Sequence, residues 1–305
     1  MPTHQDDRTG TSTQAPYDPL AQSDAPTEGD GPLSFFEDRP ADRPLPAIAV
    51  NEGPCQDIDA VIARLDALVS ESLRDGLKIG YFAALYLRVT LAVKRAIIAG
   101  DVFQDNARME ELDVVFANRF LRAWDKRRSG GTPSAPWQAA FDALERDELL
   151  VLQHLLLGMN AHINLDLGVA AAEVMRRRGR PIHELRADFV MINEVLARLT
   201  RIVQVQLAEL STAFGVLERV GPELQAKMAG VVMSGARDEA WDLAVELMDA
   251  PALPEWREIV RRRAKNAARI ADKVIDPSLV ERIVRPIVSD ERKHGVRFNV
   301  QVIAS

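Results

Sequence analysis

The chain has a single cysteine, Cys55, among its 305 residues. One thiol forms neither an intramolecular disulfide nor a thiolate metal cluster, and this composition is typical of a reducing compartment. Glycine-rich phosphate loops, the Gly-x-Ser-x-Gly nucleophile elbow and a thiol nucleophile in a suitable setting are missing as well. We therefore expect no nucleotide cofactor and none of the common serine or cysteine hydrolase chemistries.

An excess of positive charge is also missing. The formal net charge is -7, and the first 55 residues account for it with ten acidic against three basic residues. The rest of the chain is balanced, so it has no net field that would attract a polyanion. We expect no general nucleic-acid binding.

The sequence shows neither a signal peptide nor an uninterrupted membrane span. Its N-terminus lacks a basic start followed by an apolar stretch, and polar residues interrupt the most hydrophobic window, residues 147–172. These observations favour a cytoplasmic protein without a membrane span.

Strand patterns are nearly absent, and "RFNVQVIAS" at the end is the only weak candidate. Residues 1–45 are rich in Pro, Gly, Ser, Thr and Asp without periodicity, which predicts a disordered acidic tail. In residues 46–305 apolar residues recur at helical spacing, with Asp57 predicted as an N-cap, Gly100 as a C′ residue and Pro254 at a helix start. We predict an all-α fold, a single irregular helical bundle with a long buried central helix over residues 147–178.

Polar side chains interrupt the most apolar helix at "HLLLGMNAHINLDLG", residues 154–168. At 100° per residue two of them, His162 and Asp166, lie one turn apart on one face. Asn160 and Asn164 lie one turn apart on roughly the opposite side, and His154 precedes His162 by two turns. A buried polar group without a partner costs several kcal/mol, so each of these side chains needs one.

Two other helices repeat one pattern, in which an acid is followed by four apolar residues and an asparagine. The residues are Asp113 with Asn118, and Asp188 with Asn193. The two members of each pair lie about 140° apart around a helix, so neither side chain can be the hydrogen-bond partner of the other. Three apolar helices thus each contribute a carboxylate and at least one asparagine.

This convergence has two interpretations. In the first, His162, Asp166 and His154 are ligands of a divalent zinc or manganese ion, and Asp113 and Asp188 act as ligands or as the general base for a metal-bound water. The asparagines would then orient ligands or substrate; they are Asn118, Asn160, Asn164 and Asn193. In the second interpretation the same residues form a buried polar network without a metal.

Four segments in this order resemble the recurring blocks of a bacterial family known as domain-of-unknown-function family 5995. They are "GYFAALYLRVT", "MEELDVVFANRFL", "LQHLLLGMNAHINLDLG" and "LRADFVMINEVL", and the resemblance covers about residues 56–245. It implies a helical fold and brings no reaction with it.

A second, much fainter resemblance is to the zinc-dependent phospholipase C and P1-type nuclease group. In that group a His-x3-Asp pair on a core helix contributes to a zinc cluster, and here His162 and Asp166 match it. The second His-x3-acid pair is missing, since Gly158 follows His154 and Ala187 follows His183 at that spacing. The ligating N-terminal tryptophan has no counterpart either.

Two functions of different class follow from these patterns. One is a metal-dependent hydrolase of a small or phosphorylated ester. The alternative is a non-catalytic helical protein that binds a small molecule or another partner and keeps a buried polar network for specificity.

Overall fold

Local capping signals mark the beginning of the first helix and the end of the second. In the computed structural model, which describes residues 53–192, 236–276 and 281–305, helix α1 (Ile58–Asp75) starts at Asp57. The Asp57 carboxylate accepts a 2.7 Å hydrogen bond from the Ala60 backbone N–H. Helix α2 (Ile79–Ala99) ends at Gly100, whose φ of 86° is left-handed and favours glycine. Both predicted caps are confirmed.

The remaining described elements are helical as well. They are α3 (Asn106–Arg128), α4 (Ala135–Asp142), α5 (Val151–Ala161), α6 (Gly168–Arg177), α7 (Ala236–Asp249), α8 (Leu253–Ile275) and α9 (Glu281–Ala304). Short 3-10 turns follow α4 and precede a helical segment at residues 186–192. No strand occurs in these ranges, so the predicted all-α class is confirmed. Proline lies in the first turn of α8, as expected for Pro254.

A single long helix, Val151–Arg177, runs through the centre of the bundle and comprises α5, a turn at His162–Leu167 and α6. By length and composition it could cross a membrane, but 89% of its apolar window is buried inside the protein. Its first half packs on α4 and α8, and its second half on α3 and α7. The predicted long buried central helix is confirmed.

Two glycines let neighbouring helices approach this central helix closely. A Cβ atom on Gly158 would lie 2.5 Å from the Phe82 ring of α2. On Gly168 it would lie 2.5 Å from the Ala240 carbonyl oxygen of α7. The central helix is therefore held at close distance to α2 at one end and α7 at the other.

The weak strand expectation for "RFNVQVIAS" is wrong, because this segment is the last part of α9. Val300 and Ile303 are fully buried and three residues apart, which is helical spacing. They belong to the same apolar core as α1 and α2. Tertiary burial of this face outweighs the β-propensity of a valine-rich segment.

Some predictions lie outside the described residues. These are the disordered tail at residues 1–45, the domain boundary at residue 46 and the position of Asn193.

Candidate functional site

The central helix changes its winding at the residues that carry the polar motif. Residues His162–Leu167 form a π-helical turn between α5 and α6, and all six side chains are buried. In such a turn each N–H bonds to the carbonyl five residues back, and π turns inside α-helices frequently mark functional sites. The turn therefore singles out the His162–Asp166 pair within 27 residues of helix.

Asp166 is bound by three donors from three different elements. Its Oδ1 accepts a 2.9 Å bond from the Arg119 guanidinium of α3, and its Oδ2 a 2.7 Å bond from the Trp137 indole of α4. His162 Nδ1 lies 3.4 Å from the same Oδ2. Burial by itself would raise the pKa of Asp166, but Arg119 and the hydrogen bonds from His162 and Trp137 outweigh it and lower this pKa. Asp166 is thus a buried, ionised carboxylate.

His162 lies inside a box of aromatic rings. The Phe116 ring stacks on it with centroids 3.5 Å apart, and the Tyr86 ring stands edge-on at 4.5 Å. Burial lowers the pKa of His162, although Asp166 opposes the shift. A neutral ring that donates from Nδ1 to Asp166 leaves Nε2 as an acceptor, and this buried atom has no hydrogen-bond partner.

The asparagines of the central helix bond away from this pair. Asn160 donates at 2.8 Å to the Ala267 carbonyl of α8, and Asn164 donates at 2.9 Å to the side-chain oxygen of Asn160. Asn118 of α3 bonds both backbone groups of Cys55, at 2.8 Å each. All three amides therefore hold backbone or one another in place.

The structure places Asp188 at the beginning of α3, away from Asp166. Its carboxylate accepts a 2.6 Å bond from the buried Arg108 guanidinium and bonds from the Gln104 and Asp105 backbone N–H groups. Arg108 and the Arg119 that binds Asp166 are eleven residues apart on α3, or about 16 Å along its axis. Asp188 thus anchors the start of α3.

Asp113 is buried on α3, and its Oδ2 has no hydrogen-bond partner within the described residues. Burial, together with the nearby Glu110 charge, raises the pKa of Asp113 to about 7. Burial also raises the pKa of Tyr86, and the charges of Asp113 and Asp166 both add to that rise. The Tyr86 hydroxyl has no hydrogen-bond partner within the described residues either.

His154 lies apart from the pair. Its ring packs against Tyr81 at 5.7 Å, and both ring nitrogens lack hydrogen-bond partners. Burial, followed by the Lys78 charge, lowers the pKa of His154 to about 4. The ring is therefore neutral at physiological pH and belongs to the apolar core.

These donors do not fit a metal ion. Among the side chains that the structure describes, in residues 53–192, 236–276 and 293–305, no group of three or more His, Cys, Asp or Glu is placed to hold one. Both Asp166 oxygens are already bound to protein donors, and one donor, Arg119, is itself a cation that would repel a metal. The ligand and catalytic roles remain predictions without a ligand cluster to support them.

Sequence reasoning missed the residues that complete the Asp166 site. These residues are Trp137 of α4 and Arg119 of α3. A signal was present, since Arg119 interrupts the apolar segment "VVFANRFL" and a cation in such a segment requires a carboxylate.

A cleft of about 570 Å³ lies on the outer face of α3. Its lining includes Cys55, Glu110, Asn118, Arg122, Arg177 and Arg178. Arg177 and Arg178 both pair with Glu111, whereas Arg122 bonds only the Asn118 carbonyl oxygen and forms no ion pair in the described part of the chain. Glu110 lines the cleft, and its negative charge contributes to the raised pKa of the buried Asp113.

A family model, described as a family of unknown function (DUF5995), matches residues 58–277. No curated protein and no solved structure matches the chain. The fainter resemblance to the zinc-dependent phospholipase C and P1-type nuclease group is therefore not supported.

Proposed function

The chain belongs to the DUF5995 family of unknown function, and we propose that it is a non-catalytic helical protein that binds a small polar ligand in the cleft on α3. The observation that carries the proposal is Arg122, an exposed guanidinium in the cleft lining that no carboxylate in the described residues neutralises. A free guanidinium beside a concave surface is suited to a carboxylate or phosphate group.

The size of the cleft supports this function. About 570 Å³ lies within the roughly 300–1,000 Å³ typical of small-molecule sites. A second cleft of about 770 Å³ lies along α1 and α3, but both of its arginines are in ion pairs, Arg64 with Asp125 and Arg128 with Glu71. The second cleft also contains Lys126, which forms no ion pair within the described residues, but of the two clefts only the first offers an unpaired guanidinium there.

The buried polar groups support a structural role for the central helix. Asp166 bonds α3 and α4, and Asn160 bonds α8. The Arg119–Asp166 bond ties α3 to the central helix, and both line the cleft, so the frame of the cleft is preorganised and the cost of ligand binding is lowered. The ligand would have an anionic group for Arg122 and polar groups for the paired charges beside it.

A thermal-shift screen of small carboxylates and phosphate esters tests this function. Compounds that raise the melting temperature of the wild type are titrated against Arg122→Gln, for which we expect at least ten-fold weaker binding. Arg146→Gln is the matched control, since Arg146 lies outside the cleft and pairs with Glu148. If Arg122→Gln binds these compounds as tightly as the wild type does, they do not bind in the cleft through Arg122, and the proposal is wrong.

The alternative function, a metal-dependent hydrolase, is supported only by the His162–Asp166 pair. Elemental analysis of protein purified without chelator or affinity-tag metal tests it directly. Stoichiometric zinc or manganese, together with ester hydrolysis that chelator abolishes, would replace the binding function by the hydrolase.

A further inference from the structure

Five basic side chains occur at every fourth position of α8. Arg257, Arg261, Lys265, Arg269 and Lys273 are all exposed, and together they are called the basic row. Four residues of α-helix rise about 6 Å, so the row presents one positive charge every 6 Å or so over about 24 Å. This surface lies outside the α3 cleft and has no part in the function proposed above.

Few carboxylates neutralise the basic row. Between Glu258 and Asp272 the helix carries no acidic residue. Arg261 pairs with Glu258, but Lys265 and Arg269 form no ion pair within the described residues. The middle of the row therefore keeps its positive charge.

The arginines that adjoin the row behave differently. Arg262 pairs with Glu246 and Arg263 with Glu239, both on α7. These two side chains attach α8 to the body of the protein. Within the described residues, Lys265 and Arg269 of the basic row form no ion pair to another helix, so their charges are available to a partner.

We propose that the basic row binds an acidic peptide segment of a partner protein in extended conformation. Alternate side chains of an extended chain point to the same side and are about 6.4–6.8 Å apart. This distance is close to the axial rise of about 6 Å between neighbouring members of the row. Asp or Glu at alternate positions would each meet one cation, and guanidinium–carboxylate hydrogen bonds are among the stronger polar contacts at protein surfaces.

The geometry favours a peptide over a membrane or a nucleic acid. The apolar side of α8 is already buried in the protein through Ala264, Ala267, Ala271 and Val274, so no apolar face remains for insertion into lipid. Each fourth residue also turns by about 40° around the helix, so a flat bilayer meets only part of the row, whereas a peptide can follow it. The aromatic residue of α8, Trp256, is half-buried and already stacks with Arg176, whose guanidinium carbon lies 4.7 Å from the ring centroid, so it is a poor platform for bases.

Fluorescence anisotropy with a labelled dodecapeptide of alternating Glu and Ser tests the proposal on the full chain. The triple variant Arg257→Gln/Lys265→Gln/Arg269→Gln should bind at least ten-fold more weakly than the wild type. The control Arg74→Gln/Arg146→Gln/Arg180→Gln removes the same number of charges elsewhere and should change affinity by less than about two-fold, and added salt should weaken wild-type binding. Circular dichroism checks that both variants fold.

Three results would overturn the proposal. One is no measurable binding of the Glu-Ser peptide to the wild type, and another is an equal loss in the row variant and the control. The third is tighter binding to phosphatidylserine vesicles or to oligothymidylate than to the peptide, which would assign the row to a membrane or a nucleic acid. A result here is independent of the α3 cleft, because Arg122 is unchanged in every variant.

Discussion

Asp166 and Asp113 are both buried carboxylates, yet their pKa values are shifted in opposite directions. Asp166 is surrounded by Arg119, Trp137 and His162, and its pKa is lowered. Asp113 has an unpartnered oxygen and a pKa raised to about 7. Burial acts on both in the same direction, so the neighbouring donors decide which acid is ionised.

The difference indicates where the fold is stabilised and where it is strained. Asp166 joins α3, α4 and the π turn, so its charge is part of the architecture. The charge on Asp113 has no ion-pair partner within the described residues. It therefore disfavours the folded state whenever Asp113 is ionised. The same Asp-to-Asn substitution should therefore have opposite effects at the two positions.

Asp166→Asn should have the largest effect. Loss of the charge leaves Arg119 unpaired and an amide competing for Trp137, and breaking a buried ion pair costs about 3–5 kcal/mol. Urea denaturation measures the change in the free energy of unfolding. The control Asp142→Asn, at a half-exposed pair with Arg127, should cost less than about 1 kcal/mol. Equal losses in both variants would show that water replaces Asp166 as the partner of Arg119.

Asp113→Asn should be more stable relative to wild type as the pH rises. The folded-state pKa of Asp113 is raised from 3.8 to about 7. The wild type therefore loses stability as pH rises from 3.8 to 7, and the variant does not. At 1.36 kcal/mol per pH unit, with a slope that falls as the pH approaches 7, its relative stability should increase by roughly 2 kcal/mol between pH 5 and pH 7. Denaturant titrations at the two pH values measure this change, and a pH-independent difference would contradict a neutral Asp113.

Asn160→Ala should have a smaller effect, because the network on that side of the central helix is uncharged. The substitution removes the bond to the Ala267 carbonyl and leaves Asn164 without its acceptor. Unsatisfied buried groups of this kind cost about 1–3 kcal/mol. Asn266→Ala, at an exposed position one residue away on α8, is the control and should be nearly neutral. A loss of stability as large as that of Asp166→Asn would contradict this reason. It would mean that the uncharged asparagine network stabilises the fold as much as the charged Asp166 site does.

Arg180→Gln should have the smallest effect of the four. Arg180 pairs with Glu184 four residues later, and its side chain is 61% exposed. Exposed pairs of this kind contribute about 0.2–1 kcal/mol, which salt screens further. A thermal melt at low and high salt measures it. A loss above about 1 kcal/mol would show that surface pairs contribute on the scale of the buried network.

Local patterns in the sequence determine much of this protein. Apolar spacing places the helices, Asp57 and Gly100 delimit them, and the apolar run around His162 specifies a buried central helix. The spacing of His162 and Asp166 also places them on one face. These features depend on residues within a few turns of one another, which is the range over which helical periodicity carries information.

Tertiary structure alone decided which partner each buried polar group received. Helical periodicity tells which face of α3 a side chain occupies, but it does not tell which helix lies opposite that face. Arg119 therefore binds Asp166, Arg108 binds Asp188, and Oδ2 of Asp113 receives no donor from the described residues, although all three acids lie in similar apolar segments. Pairing between residues 47 to 80 positions apart is fixed by helix packing, because only packing brings such distant charges within bonding distance.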